Sequence, residues 1–296
     1  MNIASIRKIG FYFSIALVVF SLVGLFKNQL NFALDFTGGY LTEFETTEMV
    51  DKSEIQVAVK SVIDNDFVLE AAEHNTIWSV KQADNTRMVK GTDWLKDVEE
   101  IIGVKVIPLD AIYTGSQIGD ELKEQGGLAL LTASLVILIY LAIRFEWRLA
   151  VGSLLALAHD IVIVLGVFAW FSIPFDLTVL AALLAIIGYS LNDSIVVGDK
   201  IREVLLHQPA QTVTKSIDLA ISSTLVRTLI TSGTTMTTIV AISLFAGNSL
   251  SGFASALMVG IAVGTISSIT ISATVPELLG LSAQDYQEEQ VVDDMP

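Results

Sequence analysis

The sequence predicts an α-helical polytopic membrane protein with six transmembrane helices and an inserted α+β ferredoxin-like extracytoplasmic domain. Three observations lead to this prediction. The 296 residues are 52% hydrophobic and only 17% charged, whereas soluble chains carry about 25% charged residues. Six segments approach the roughly 20 mostly apolar residues that a membrane span requires. Between the first two segments lies a long polar stretch in which helical and strand periodicities alternate.

The six predicted spans follow the apolar runs of the chain. They are Ile9–Phe26, Gly127–Ile143, Leu149–Phe171, Leu177–Val197, Thr228–Ala246 and Phe253–Val275. A cleaved signal peptide is the alternative for the first span. No small-x-small cleavage site follows Phe26, and this favours an uncleaved anchor.

The orientation follows from the basic residues of the short loops, which concentrate on the cytoplasmic side of membrane proteins. Lys and Arg lie before span one, between spans two and three, and between spans four and five. We therefore expect residues 1–26 to start in the cytoplasm and the 27–126 domain to lie outside. The five-helix bundle 127–275, with its loop 198–227, then returns the acidic tail 276–296 to the cytoplasm. The predicted localisation is a multi-pass protein of the cell inner membrane.

The outer domain shows the element order β-α-β-β-α-β, which is that of a ferredoxin-like fold. Apolar and polar residues alternate through Tyr40–Thr46, and apolar residues recur at helical spacing from Ile55 to Ile63. Strands are predicted at Phe67–Ala71, Thr76–Val80 and Val104–Leu109, and a helix at Trp94–Ile102. The lone His74 in this domain is predicted to be a solvated surface residue.

Composition and motifs exclude several classes of function. The net charge of −15 argues against nucleic-acid binding, which needs a basic surface. The chain has no cysteine, so disulfides and thiolate sites are excluded. It has neither a phosphate-binding loop nor an H-E-x-x-H metal motif, and no spacing suggests a catalytic triad. We expect no enzyme activity, no metal site and no resident cofactor, so any energy used comes from the membrane potential or an ion gradient.

Ionisable residues within a span are costly and usually functional, and Asp160, Asp193 and Arg227 are the candidates here. Asp193 lies in span four beside Asn192, with Tyr189 one turn away on the same face. Arg227 opens span five, and threonines recur at spacings of three and four along its face. The members of this polar stripe that we assign to the candidate site are Thr231, Thr234 and Thr238. Asp160, in span three, is predicted to lie about 10 Å deeper in the membrane than Asp193.

Two interpretations of these polar residues remain open. Asp193 and Arg227 are predicted to reach a similar depth, so proton or sodium binding at the carboxylate would break their pairing and repack the helices. Alternatively, the residues form a static buried ion pair that fixes helix register. For Asp160 the two interpretations are balanced.

An ordered set of motifs resembles one family. The set is Asp35-Phe36-Thr37-Gly38-Gly39, Gly119–Leu122, Arg144–Arg148, His159-Asp160, Gly188–Ser194, Asp199–Glu203 and Arg227–Ser232. Together they resemble the SecF proteins of the SecD/SecF protein-export family. Ser194 stands where the family usually has Thr and Lys200 where it usually has Arg, but no candidate ion-coupling residue is lost.

The resemblance implies the six-span half of a SecD–SecF assembly related to the RND superfamily. Such an assembly uses a proton or sodium gradient, without ATP, to assist late translocation of unfolded proteins on the outer side. The implied partners are SecD, the SecYEG channel, YajC, the exported chains and membrane lipid. Asp193 and Arg227 match the ion-coupling positions of the family. The segment Asp35-Phe36-Thr37-Gly38-Gly39 matches its stretch at the start of the outer domain.

Two other functions compete with export. An RND-like exporter of small molecules or lipids would need a large apolar pocket in the outer domain. A scaffold of the translocon would keep its function when Asp193 is neutralised.

Overall fold

The protein is described from a computed structural model that covers residues 3–63, 67–72, 76–83, 89–246 and 250–286. Within these ranges the helices are α1 Ile3–Asn28, α2 Leu34–Thr37, α3 Lys52–Val62, α4 Leu95–Ile102, α5 Ser116–Arg144, α6 Trp147–Phe171, α7 Leu177–His207, α8 Val213–Phe245, α9 Ser251–Thr270 and α10 Thr274–Leu278. The strands are β1 Gly39–Thr46, β2 Phe67–Ala72, β3 Ile77–Ala83 and β4 Val106–Thr114. His74 lies outside the described residues.

The six predicted spans are confirmed. In the described part of the chain, six helical segments are long and apolar enough to cross a membrane: α1, α5, α6, α7, α8, and α9 continued by α10. Helices α6, α7 and α9 form the centre of the bundle, with about half of their apolar windows buried. Helices α1, α5 and α8 lie at its periphery, where less than a fifth is buried.

The helices are longer than the predicted spans. Helix α7 continues to His207 and α8 begins at Val213, so the loop predicted over residues 198–227 is reduced to a connection of a few residues. The helical extensions are amphipathic, and Ile201 of α7 packs in one apolar cluster with Ile217 and Ile221 of α8. Hydropathy alone misses such ends because it ignores the face on which the apolar residues lie.

The outer domain has the predicted ferredoxin-like topology. Its four-stranded sheet has the order β2-β3-β1-β4, and β1 pairs antiparallel with both β3 and β4. Helices α3 and α4 cover one face, where Phe44, Trp78 and Val80 are completely buried. Strand β4 runs to Thr114, five residues past the predicted end, and leads directly into α5.

Small residues set the spacing between the central helices. A Cβ on Gly260 of α9 would lie 2.4 Å from Ile186 of α7, and one on Gly264 would meet Ser190 at 3.4 Å. The four-residue spacing of Gly260 and Gly264 in α9 therefore serves close packing. Gly188 of α7 makes no such close approach, because a Cβ there would meet nothing within 4 Å in the described chain.

Candidate functional site

A buried polar cluster surrounds Asp160 at the centre of the bundle. The Asp160 side chain is completely buried. Its Oδ1 lies 2.8 Å from His159 Nδ1, and its Oδ2 accepts hydrogen bonds from Ser190 Oγ at 2.6 Å and Ser267 Oγ at 2.9 Å. The cluster therefore joins α6, α7 and α9 through one carboxylate.

The sequence brings this cluster together through small side chains. Ser190 and Ser267 are short enough to reach the carboxylate while their helices remain in close contact. Gly264 leaves room for it, since a Cβ there would lie 3.3 Å from Asp160 Oδ2. The two serines belong to distant parts of the chain, so no local spacing identified them as partners.

Asp193 lies one turn beyond Ser190 on α7. It is only 3% exposed, and no described residue donates a hydrogen bond to its Oδ2. It interacts with the neighbouring Asn192 side chain, and the charge of Arg227 reaches it from α8. Its carboxylate thus keeps one free oxygen inside the bundle.

The two carboxylates are closer in depth than predicted. Ser190 contacts Asp160 and precedes Asp193 by three residues on one helix. At 1.5 Å per residue this separates their levels by about 5 Å, half the predicted value. A single polar region can therefore include both.

Arg227 and the threonine stripe lie at the edge of the bundle. Arg227, Thr234 and Thr238 are exposed on α8, whereas Thr228 is buried. The hydroxyls of Thr231, Thr234 and Thr238 bond to carbonyls one turn earlier in the same helix. The stripe is thus satisfied internally, and within this chain Arg227 reaches Asp193 by charge rather than by a hydrogen bond.

Tyr189 does not contact Asp193, although both lie on α7. Its hydroxyl donates to Ser232 Oγ of α8 at 3.2 Å, and Ser232 in turn lies 2.7 Å from Thr265 Oγ1 of α9. This chain of hydroxyls connects three helices close to the carboxylates.

The motif from Asp35 to Gly39 forms the joint between the outer domain and the bundle. Asp35 Oδ2 accepts a hydrogen bond from Leu177 N at the start of α7, and Phe36 packs against Phe175. Thr37 Oγ1 bonds to Ala33 O. Gly38 and Gly39 have φ angles of 71° and 151°, which glycine adopts readily. A Cβ on Gly39 would lie 2.1 Å from Gln82 O.

A second buried ionic cluster, which the sequence analysis did not predict, surrounds Arg7 of α1. The Arg7 side chain is completely buried. Its Nη2 lies 2.6 Å from Glu277 Oε2 and its Nε lies 3.6 Å from Asp218 Oδ1. Thr214 Oγ1 donates to Glu277 Oε1 at 2.6 Å. Glu277, an acidic residue just after the last predicted span, is the sequence feature that could have indicated this cluster.

Comparison with known sequences places the chain among protein-export components. Residues 96–281 match the family described as "Protein export membrane protein SecD/SecF, C-terminal". A protein translocase subunit SecF from Vibrio alginolyticus is 39% identical over 96% of this chain and 91% of its own length. The SecF of Pseudomonas aeruginosa is 36% identical over 100% of this chain and 98% of its own length.

Solved structures agree with this placement. The crystal structure of SecDF from Thermus thermophilus, a translocon-associated membrane protein, superimposes with a TM-score of 0.81 at 30% identity. The match covers 94% of this chain but only 38% of the SecDF chain. SecDF in its Super-membrane-facing form gives a TM-score of 0.71 at 31% identity.

Proposed function

The chain belongs to the SecD/SecF family of protein export membrane proteins, and from this premise we propose that it is the SecF half of an ion-gradient-driven SecD–SecF complex. The complex assists late translocation of unfolded proteins through SecYEG, with YajC as a further component. It needs no ATP. Because the SecDF chain is more than twice as long as this one, a SecD partner supplies the remaining spans and outer domain.

One observation carries the proposal: Asp193 is a buried carboxylate with a free oxygen inside a membrane helix bundle. Such a group is costly in the membrane and usually marks an ion pathway. Moving one elementary charge across the membrane releases about 2.3 kcal/mol per 100 mV. Binding of H⁺ or Na⁺ at Asp193 changes its attraction to Arg227, and Asp160, about one turn away, responds to the same charge.

The outer domain is the element that transmits the change. Asp35 bonds to the first residue of α7, the helix that carries Asp193. A shift of α7 therefore pulls on the joint from Asp35 to Gly39 and tilts the sheet that begins at Gly39. The short loops that carry Lys and Arg support cytoplasmic termini and an outer domain on the opposite side of the inner membrane.

The exporter alternative is not favoured by the lining of a cavity beside the sheet. A space of about 670 Å³ lies between the open face of the sheet and the outer helix ends. Its lining includes the charged residues Asp35, Glu43, Lys52, Glu70, Lys81 and Asp176. An apolar substrate would have to desolvate these groups.

The experiment is translocation of an unfolded protein into sealed vesicles that contain the partner half and the channel. H⁺ and Na⁺ gradients are imposed separately on wild type and Asp193→Asn. We expect the mutant to lose the gradient stimulation at least about tenfold, since Asn cannot change charge, and the effective gradient identifies the ion. The matched control is Asp199→Asn on the same helix, where the carboxylate pairs with Arg144 at the surface. Full stimulation in Asp193→Asn would contradict the proposal and favour a scaffold.

A further inference from the structure

The orientation of His159 follows from its bond to Asp160. With Asp160 ionised, its oxygens can only accept hydrogen bonds, and the His159 nitrogen 2.8 Å from Asp160 Oδ1 is then the donor. This fixes Nδ1–H as the donor and leaves Nε2 as the basic nitrogen. His159 is only 6% exposed, and Nε2 has no hydrogen-bond partner in the described chain.

Asp160 itself has little room for a proton. Its three polar contacts, from His159, Ser190 and Ser267, all come from groups that can donate. Its Oδ2 already accepts two hydrogen bonds, so a proton on that oxygen would displace one of the two serines. The nitrogen of the cluster that has no partner in the described chain is His159 Nε2.

Helix α1 places a hydroxyl at the level of His159. Helices α1 and α6 run parallel, and a Cβ on Gly166 would lie 2.6 Å from the Cα of Ser21. Ser14 precedes Ser21 by seven residues, and His159 precedes Gly166 by seven. Seven residues are about two helical turns, so Ser14 and His159 lie on the same faces of α1 and α6, two turns nearer the start of each helix. Nearer still to the start of both helices, Phe11 of α1 packs on the apolar cluster that contains Ala156 of α6. Phe11 and Ala156 have the same sequence separation as Ser14 and His159.

Ser14 is also an unpaired buried group. Its side chain is 1% exposed, and its Oγ has no hydrogen-bond partner in the described residues. Two orphaned polar atoms, Ser14 Oγ and His159 Nε2, thus share one level of the α1–α6 interface. Buried polar groups are otherwise almost always paired.

We propose that His159 is a proton-carrying residue of the bundle, with Nδ1–H held by Asp160, Nε2 as the atom that is protonated, and Ser14 as the α1 hydroxyl that lies at its level. This deepens, and rests on, the proposed function. In the step, hydronium gives its proton to Nε2 and leaves as water, while one N–H bond forms. The imidazolium then faces an ionised carboxylate, so the pair passes from a net charge of −1 to zero. Release reverses the step.

The surrounding charges favour this step. From α7, Asp193 adds a second negative charge about one turn away, and from α8 the charge of Arg227 partly offsets it. Helix α9 has no titratable residue. On α1, Arg7 lies one heptad below Ser14 and is held by Glu277 of α10. A proton on His159 therefore neutralises an excess of buried negative charge, which is costly in a membrane.

The first test reads the protonation state directly. The sequence has three histidines, His74, His159 and His207, so His74→Gln/His207→Gln leaves His159 as the only one. Nitrogen NMR of this chain, ¹⁵N-labelled at histidine and bound to its partner half in nanodiscs, resolves the two ring nitrogens. We expect Nδ1–H with bare Nε2 in the neutral ring, and a second N–H signal, from Nε2, when the sample is acidified. The opposite tautomer, or a ring that never titrates, would overturn the proposal.

The second test measures function in the vesicle assay. His159→Asn keeps an N–H donor near the Nδ1 position but cannot take up a proton, so we expect at least a tenfold loss of proton-gradient stimulation. His207→Gln, an exposed histidine on α7, should retain it. If His159→Asn keeps stimulation while Asp193→Asn loses it, the role of His159 is wrong and the proposed function stands. If both variants keep it, both proposals fail.

Discussion

Arg7 shows how much a single buried charge can matter in this bundle. Its guanidinium is enclosed by Glu277 and Asp218 and also reaches Thr274 Oγ1 at 3.2 Å. These contacts join α1, α8 and α10, which are far apart in sequence. Removing one member of a buried ionic cluster leaves its partners charged and unpaired, which costs more than the pair contributed.

We therefore predict that Arg7→Met lowers the free energy of unfolding by about 3 kcal/mol. Chemical unfolding of the full chain in nanodiscs measures it, and Lys8→Met, at an exposed neighbouring position, is the control. The double variant Arg7→Met/Glu277→Gln should lose less than the sum of the single losses, because both charges are gone. Additive losses would mean that the two residues do not interact.

At the scale of the helices, close approach depends on a few glycines. Gly166 of α6 faces the backbone of Ser21 on α1, and a Cβ there would lie 2.6 Å from the Ser21 Cα. A backbone atom cannot move aside as the end of a flexible side chain can. The same α1–α6 interface carries Ser14 and His159.

Gly166→Ala should therefore destabilise the protein by about 1–3 kcal/mol, since an added methyl group forces the two helices apart. Gly188→Ala is the matched control, because a Cβ at Gly188 meets nothing within 4 Å and alanine is the better helix former. Thermal unfolding in nanodiscs compares the two variants. Equal melting temperatures would show that α1 and α6 do not pack tightly at Gly166 and Ser21.

The short helical turn Ala283–Tyr286 contains Asp285, whose Oδ1 lies 3.0 Å from Arg148 Nη1 near the start of α6. Burial alone would raise the pKa of Asp285. The hydrogen bond from Ser282 N–H and the ion pair with Arg148 outweigh it and hold the pKa below its ordinary value of 3.8. Because the folded pKa is the lower one, the contribution to stability is complete above about pH 4 and is lost as pH falls through the folded pKa.

Asp285→Asn should reproduce the acid state at neutral pH. We expect faster amide hydrogen exchange at residues 282–286 in the variant, and little further change in it on acidification. Asp93→Asn, whose partner Lys96 forms an exposed pair on the outer domain, should leave this exchange unchanged. Protection that is insensitive to Asp285→Asn would remove the ion pair from the anchoring of this segment.

The elements that sequence predicts well are those with a local cause. Tyr40–Thr46 alternates because one face of β1 packs on helices, and apolar length alone marks the spans. The helical extensions at residues 198–207 and 213–227 were not predicted because hydropathy ignores the face of a helix on which the apolar residues lie. The partners of Asp160 could not be predicted at all, since Ser190 and Ser267 meet it only through tertiary packing.

At the scale of the whole molecule, burial shows which helix face lacks a packing partner in this chain. Helix α8 is mostly unburied in this chain, and one of its exposed faces carries Arg227, Thr234 and Thr238. An exposed arginine near a span is unfavourable against lipid. Partner helices that shield it would also lie beside Asp193, which the charge of Arg227 already reaches.

The last prediction is that this polar face of α8 contacts membrane-spanning helices of the proposed partner half. The chain has no cysteine, so single cysteines can be introduced without background. Thr234→Cys should cross-link to cysteines in the partner's spans, whereas Val240→Cys, 42% exposed on a different face of α8, should not. An imposed gradient should change the yield at Thr234 if repacking occurs along this face. Cross-links from Val240 alone would place the partner on the apolar face of α8. The Arg227 side chain would then extend along the helix to reach the membrane–water interface.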